Sequence, residues 1–209
     1  MDPRETSSGA PILALVGMAG AGKSVAGKFL ESTGYRIIKL GSYIIGEIRR
    51  RDLAVTPSNE KLVREALRQE RGMSAVATLA LPELERLLLE SRHVAIEGLF
   101  NLAEYDLLQE TLQRPIIIIA LATSKRTRYE RLAKRRERSL TPSEAIERDL
   151  LEIKTVDKAG PIALADFTII NDGEVTDLHE KMSQVIEMIH EQSDWNPKGD
   201  PMETCTVLR

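Results

Sequence analysis

Eight residues near the amino end of the chain have the types and the spacing needed to hold a phosphate chain. They read Gly-Met-Ala-Gly-Ala-Gly-Lys-Ser and fit the pattern Gly-x-x-x-x-Gly-Lys-Ser/Thr without a mismatch. Glycines allow backbone conformations that side chains forbid, so that successive N–H groups can surround the phosphates. The lysine adds a positive charge near the outer phosphates, and the serine hydroxyl can bind magnesium. We therefore predict contacts to a nucleotide from Gly17, Met18, Ala19, Gly20, Ala21, Gly22, Lys23, Ser24 and Val25.

The segments on either side of this loop are the ones that such a site needs. Ile12 to Val16 is an apolar run short enough for a buried parallel strand. After the loop, apolar residues recur at helical spacing from Val25 to Leu30, and Gly34 can end that helix. A glycine-rich turn that binds nothing is the alternative interpretation. The strand, the lysine, the serine and the helix together favour the phosphate site.

The rest of the chain predicts further strands that alternate with helices. This order is typical of a parallel sheet with helices on both faces, a three-layer α/β sandwich. Two connections are longer than simple crossovers, Ser42 to Arg92 and Ser124 to Ala165, and long insertions at the carboxyl ends of strands are where ligands bind in such sheets. The further strands are Arg36 to Leu40, His93 to Glu97, Ile116 to Leu121 and Asp166 to Ile170.

Composition limits the class of protein. The chain has 209 residues, of which 42% are hydrophobic, enough for one packed domain. Its net charge of -3 gives no general attraction to nucleic acid or membrane. Its one cysteine, Cys205, excludes an internal disulfide, and no apolar run approaches the roughly 20 residues of a membrane span. We expect a cytoplasmic protein with flexible polar ends at 1–10 and 192–209.

Taken together, these pieces resemble the nucleoside monophosphate kinase branch of the P-loop proteins, which includes adenylate kinase and dephospho-CoA kinase. The resemblance is closer to a set of adenylate-kinase-like ATPases, and it runs from about Pro11 to His190. The phosphate loop is specific to the superfamily. The other matching segments are short, and it is their order along the chain that supports the resemblance. They are Leu40-Gly41-Ser42, Glu97-Gly98, Arg131 to Arg135, Glu147-Arg148-Asp149 and Ala165-Asp166-Phe167 running to Asn171-Asp172-Gly173.

The resemblance implies a fold and a reaction. The fold is an adenylate-kinase-like domain over 11–191 with a five-stranded parallel sheet, a helical acceptor-binding insertion at 42–92 and a lid at 136–158. The reaction transfers the terminal phosphoryl group of ATP, with Mg2+, to an acceptor phosphate or hydroxyl. In such enzymes the protein aligns the two substrates and neutralises the developing charge, so arginines matter more than a base.

The same resemblance assigns roles to particular residues. Arg131 and Arg135 lie four apart on one predicted helix, so both can point to one cleft. By resemblance, Arg131 lies against the donor base, while Arg135, and Arg148 from the lid, join Lys23 as catalytic residues. Solvated surface charges are the alternative for these arginines. Two further sets complete the site: Ser24 and Glu97 for the magnesium, and Asn171 and Gly173 beside the donor base.

Two departures concern the acceptor. Adenylate kinase has an acceptor-binding arginine where this chain has Ile45, and another where it has Asn101. Their absence puts ordinary nucleoside monophosphate kinase activity in doubt. Arginines of the inserted helices are candidate replacements: Arg49, Arg50, Arg64 and Arg68.

Three hypotheses follow, and the sequence leaves them open. The first is a kinase that acts on a nucleotide-like or phosphorylated small acceptor, with dephospho-CoA as the runner-up acceptor. The second is a regulatory P-loop ATPase with no small-molecule acceptor, which the two missing arginines favour. The third is a nucleic-acid binder that uses the basic stretch from Lys125 to Arg138, which the overall acidity and the few aromatic residues disfavour. The oligomeric state and the preference for ATP over GTP stay open.

Overall fold

The computed structural model describes residues 9–136, 138–191 and 206–208. The other residues of the two ends predicted to be flexible, 1–8, 192–205 and 209, lie outside the described residues. The strands are β1 Ile12–Val16, β2 Arg36–Lys39, β3 Val94–Glu97, β4 Ile116–Ala122, β5 Phe167–Ile170 and β6 Thr206–Leu208. The helices are α1 Lys23–Ser32, α2 Leu40–Arg50, α3 Pro57–Arg71, α4 Ala75–Glu90, α5 Leu102–Leu112, α6 Lys125–Ala133, α7 Pro142–Val156, α8 Ala159–Ala163 and α9 Val175–Glu191.

The strands form one parallel sheet in the order β2-β3-β1-β4-β5-β6. All five residues of β1 are buried, because successive side chains enter the cores on opposite faces of the sheet. Ile12, Ala14 and Val16 contribute to the core beneath α2, α3, α4 and α5, whereas Leu13 and Leu15 contribute to the core beneath α1 and α9. The predicted three-layer architecture is confirmed.

Within the part of the chain that the structure describes, the sheet has six strands where five were predicted. The sixth strand comes from the tail predicted to be flexible, since Thr206–Leu208 pairs in parallel with β5. The backbone N–H of Thr206 donates to the carbonyl of Asp166 at 3.1 Å. The segment is three residues long, too short for periodicity in the sequence to reveal it.

Three local details complete the description of the helices. Helix α2 begins at Leu40, and the Ser42 hydroxyl donates to the carbonyl of Lys39 within its first turn. Pro82 lies inside one continuous α4. Lys158 immediately precedes the short helix α8.

The parallel arrangement brings the carboxyl ends of the strands to one edge of the sheet. The glycine-rich loop follows β1 there, Glu97 ends β3, and Asn171 follows β5. The backbone N–H of Asn171 donates to the carbonyl of Ala122 at the end of β4, at 2.8 Å. Within the described residues, no helix has the length and apolar character to cross a membrane.

Candidate nucleotide-binding site

The glycine-rich loop has a backbone that its glycines make possible. Gly17, Gly20 and Gly22 have positive φ angles of 140°, 83° and 103°. A Cβ at Gly20 would lie 2.7 Å from the carbonyl oxygen of Arg128, so the loop also packs tightly against α6. Gly22 immediately precedes α1, so the loop ends at a helix amino terminus, where N–H groups favour an anion.

Lys23 folds back over this loop. Its Nζ donates to the carbonyls of Gly17 and Met18, at 2.7 and 3.1 Å. Burial, with a contribution from the nearby charge of Lys158, lowers the pKa of Lys23 from 10.5 to about 7. The lysine is thus a desolvated cation at the centre of the loop, and an anionic ligand there would stabilise its charged form.

Ser24 and Glu97 meet at the start of α1. The hydroxyl of Ser24 donates to Oε1 of Glu97 at 2.6 Å. The other carboxylate oxygen, Oε2, is buried without a hydrogen-bond partner and lies 3.8 Å from Nζ of Lys39. Oxygen donors of this kind suit Mg2+, which needs few protein ligands when phosphates supply others. The pair therefore fits the magnesium site predicted from the sequence, and the described residues contain no group of three or more His, Cys, Asp or Glu that could hold a metal alone.

The residues predicted to lie beside the donor base come together after β5. Arg131 donates to the carbonyls of Asn171 and Gly173, at 2.9 and 3.2 Å. The side-chain amide of Asn171 donates to the carbonyl of Ala21 at 2.8 Å, which ties this turn to the glycine-rich loop. Asn171 is buried, so it has a structural role here in addition to its predicted position near the base.

Arg135 and Arg148 reach the same cavity from different segments. Arg148 donates to Glu152 at 3.1 Å. Arg135 makes no side-chain hydrogen bond or ion pair with the described residues, and burial, together with the nearby Arg148, lowers its pKa. An anion placed between the two guanidinium groups would offset their repulsion, and a triphosphate would provide one.

One cavity of about 860 Å³ joins all these parts. Its lining includes three carboxylates, those of Glu60, Glu97 and Glu152. Eight basic residues line it, a surplus of positive charge that suits a polyphosphate. They are Lys23, Lys39, Arg64, Arg131, Arg135, Arg138, Arg148 and Lys158.

Two buried ion pairs that sequence reasoning missed support the cavity. Arg128 forms a two-pronged pair with Asp149, at 2.9 and 2.6 Å, and also donates to the carbonyl of Ala19 in the loop at 3.0 Å. Lys158 donates to Glu152 at 2.7 Å. Burial would raise the pKa of Glu152, but the charges of Lys158 and Arg148 outweigh it and lower the pKa to about 2.

Neither of these pairs had a clear signal in the sequence. Arg128 is one of eight basic residues between Lys125 and Arg138, and nothing in their order marks it as the buried one. Lys158 is the last residue of the segment predicted to be a lid. Its nearly complete burial depends on α8 folding over α5, which is a tertiary contact.

The two departures from adenylate kinase have different surroundings. Ile45 lines the cavity on α2. Asn101 is buried and caps α5, accepting from the N–H of Glu104 at 2.9 Å and donating to the carbonyl of Met73 at 3.1 Å. The amide at 101 therefore joins α5 to the inserted helices, and it is absent from the lining of the cavity.

Comparisons with known proteins identify the family of this chain. A family described as "AAA domain" matches residues 13–152. A UPF0200 protein of Thermococcus sibiricus is 35% identical over 182 residues, which cover 85% of this chain and 95% of the relative. A UPF0200 protein of Methanocaldococcus jannaschii is 33% identical over 181 residues, 85% of this chain and 90% of the relative.

Two solved structures share the fold. One is TT1252 from Thermus thermophilus, with a TM-score of 0.59, 22% identity, and coverage of 85% of this chain and 97% of the other. The second is shikimate kinase from Bacteroides thetaiotaomicron, with a TM-score of 0.54, 19% identity, and coverage of 85% and 98%. The predicted P-loop kinase-like fold is therefore confirmed, with the sixth strand as the difference.

Proposed function

We propose that this chain, which belongs to the UPF0200 family and to the family described as AAA domain, is a Mg-ATP phosphotransferase acting on a small acceptor. The observation that carries the proposal is one cavity that has the phosphate loop on one side and the inserted helices, with Arg64, on the other. A site that binds only ATP would not need the side of the cavity that the inserted helices form. The fold shared with a shikimate kinase supports this class of reaction.

The proposed roles follow from the contacts. Lys23 and Arg135 neutralise the phosphates of the donor, and Arg148 stabilises the transferring group as negative charge develops. Arg131 and the turn at Asn171 to Gly173 lie beside the donor base. Ser24 and Glu97 hold Mg2+, which neutralises charge on the phosphates when bound. The surrounding helices exclude water, so that the acceptor receives the phosphoryl group in its place.

A transfer assay tests this proposal. Labelled ATP, Mg2+ and the protein are incubated with one acceptor at a time. The acceptors are nucleoside monophosphates, dephospho-CoA and shikimate. We expect label to move to one class of acceptor, and Arg148→Gln to lower that rate at least about tenfold, because transition-state charge loses a partner. Glu147→Gln, an exposed neighbour on α7, is the matched control.

A second candidate function has an observation of its own. Ile45 and Asn101 replace both of the arginines that grip the acceptor in adenylate kinase, which favours a regulatory ATPase. In that case phosphate is released slowly, at a rate that no acceptor changes. Slow release alone, with no labelled product from any acceptor, would decide for the ATPase.

A further inference from the structure

Arg64 on α3 is a cation for which the described residues provide no partner. It lines the cavity, and no hydrogen bond or ion pair joins its guanidinium to a described side chain or carbonyl. Its Nε is buried without a hydrogen-bond partner. Buried charges are normally paired, so an unpaired guanidinium facing a cavity indicates a missing anion.

The carboxylates of the cavity are already engaged elsewhere. Glu152 lies between Lys158 and Arg148, at 2.7 and 3.1 Å. Glu60 pairs with Arg138 across the cavity, and Glu97 accepts the hydroxyl of Ser24. Burial is the main cause that lowers the pKa of Arg64, and the charge of Glu152 opposes it only in part. The anion that Arg64 lacks must therefore come from outside the described residues.

The proposed donor nucleotide accounts for the cations on the other side of the cavity, including Arg135, which also has no hydrogen-bond or ion-pair partner among the described residues. Lys23 lies over the glycine-rich loop, and Arg131 is held by the turn after β5, on the donor side. Arg64 instead comes from the inserted helices, where Val63 and Leu67 fix α3 in the core. One turn along, Arg68 donates to the carbonyl of Thr155 at 3.0 Å and anchors α3 to α7. Helix α3 therefore fixes the position of Arg64 on the side of the cavity that the inserted helices form.

The other candidate arginines are used differently. Arg50 donates to Glu47 through two bonds of 2.7 Å and is largely exposed. Arg49 is exposed as well, and neither lines the cavity. Of the four arginines considered from the sequence, Arg64 is the one in the lining.

The walls near the inserted helices limit the ligand further. Ile44, Ile45, Phe100 and Val156 line the cavity there, and Lys158 lies over the ring of Phe100 at 5.6 Å. We infer that Arg64 binds the anionic group of the acceptor, a small molecule that carries a carboxylate or a phosphate beside an apolar body. A guanidinium fork matches either group through two parallel hydrogen bonds. This inference rests on the proposed function and assigns the acceptor half of its site.

The test first fills the donor half and then supplies simple anions. Thermal unfolding is followed with saturating Mg-AMP-PNP while sulfate, and separately acetate, is added at constant ionic strength. Wild-type protein gains about 3 °C when the anion reaches about ten times its dissociation constant. Arg64→Gln loses at least half of this shift, whereas Arg71→Gln, an exposed arginine of the same helix, keeps it. An equal shift in Arg64→Gln, or none in wild type, overturns the inference.

Stability without ligand separates binding from a structural role. Because Arg64 is a partly buried charge without a partner among the described residues, Arg64→Gln should melt at the wild-type temperature or above it. A melting temperature several degrees lower would show that the guanidinium holds the fold, and would contradict the inference. Failure of Mg-AMP-PNP to raise the melting temperature would count against the proposed function instead, since that step concerns only the donor half.

The transfer assay distinguishes a phosphate from a carboxylate as the anionic group of the acceptor. AMP and dephospho-CoA supply a phosphate, and shikimate supplies a carboxylate. For the acceptor that is used, we expect Arg64→Gln to raise KM at least about tenfold while the KM for ATP stays within about twofold, and Arg64→Lys to recover part of the loss. An unchanged KM for the acceptor would overturn the assignment.

Discussion

At the scale of single residues, Lys23 combines two properties that depend on each other. Its ammonium group is held by two loop carbonyls, and burial lowers its pKa to about 7. A bound triphosphate would favour the charged form and raise that pKa again. Nucleotide binding and protonation of Lys23 should therefore be linked.

This linkage predicts proton uptake. At pH 8, one unit above the pKa of about 7, free Lys23 is mostly neutral, so Mg-ATP binding should take up about 0.9 proton. Affinity should fall about tenfold per unit as the pH rises above 7. Calorimetry at pH 8 in two buffers with different ionisation enthalpies measures the uptake. Binding with no proton exchange at pH 8 would contradict the linkage.

Glu97 supports a prediction about the metal. Its Oε2 is buried without a hydrogen-bond partner, and its Oε1 accepts the Ser24 hydroxyl. If this carboxylate positions the Mg2+ shell, Glu97→Gln should raise the Mg2+ concentration needed for half-maximal ATP binding about tenfold or more. A Mg2+ titration with fluorescent ATP measures it. Glu90→Gln, which removes an exposed carboxylate paired with Arg86, is the control, and an equal Mg2+ requirement in both variants would remove Glu97 from the metal site.

At the scale of elements, the basic segment around α6 is organised by its neighbours. Arg128 turns inward to Asp149 of α7 and to the loop carbonyl of Ala19. Arg131 reaches the turn after β5, and Arg135 lines the cavity. Side chains that looked like one positive surface in the sequence therefore serve different contacts, which leaves fewer of them for a nucleic acid.

The Arg128–Asp149 pair gives a prediction for stability. Asp149→Ala leaves a buried guanidinium without its carboxylate, so unfolding should become easier by about 3–5 kcal/mol. Urea unfolding measures this change. The double variant Arg128→Met, Asp149→Leu should recover most of the loss, because no unpaired charge remains. The exposed Glu147→Gln on the same helix should change stability by less than about 0.5 kcal/mol, and a similar small effect for Asp149→Ala would show that the pair is not important for folding.

At the scale of the whole molecule, the charge of the cavity lining differs in sign from the net charge of the chain. The chain carries a net charge of -3, yet eight basic and three acidic residues line the cavity. Negative charge is therefore concentrated outside the site, and the field inside favours anionic substrates. Composition alone gives the sum of the charges, and only the fold separates them.

The same distinction explains what could be predicted from the sequence. The strand at Ile116 and the loop at Gly17 to Ser24 were predictable because hydrophobic runs and glycine spacing are local signals. Three features were not predictable from local pattern, because each depends on contacts between distant segments: β6, the burial of Lys158, and the selection of Arg64 from four candidate arginines. Asn101 is similar, since the resemblance places it where adenylate kinase has an acceptor-binding arginine, whereas its surroundings make it a helix cap.

The central claim is that the loop around Lys23 captures the polyphosphate of a nucleotide, and calorimetry with Mg-ATP tests it most directly. We predict a saturable heat of binding for the wild-type protein and at least about a hundredfold weaker binding for Lys23→Ala, since a charge-assisted contact to the phosphates is lost. Lys28→Ala, an exposed lysine on α1, should bind like the wild type. No heat with the wild-type protein, or the same affinity after Lys23→Ala, would contradict the claim.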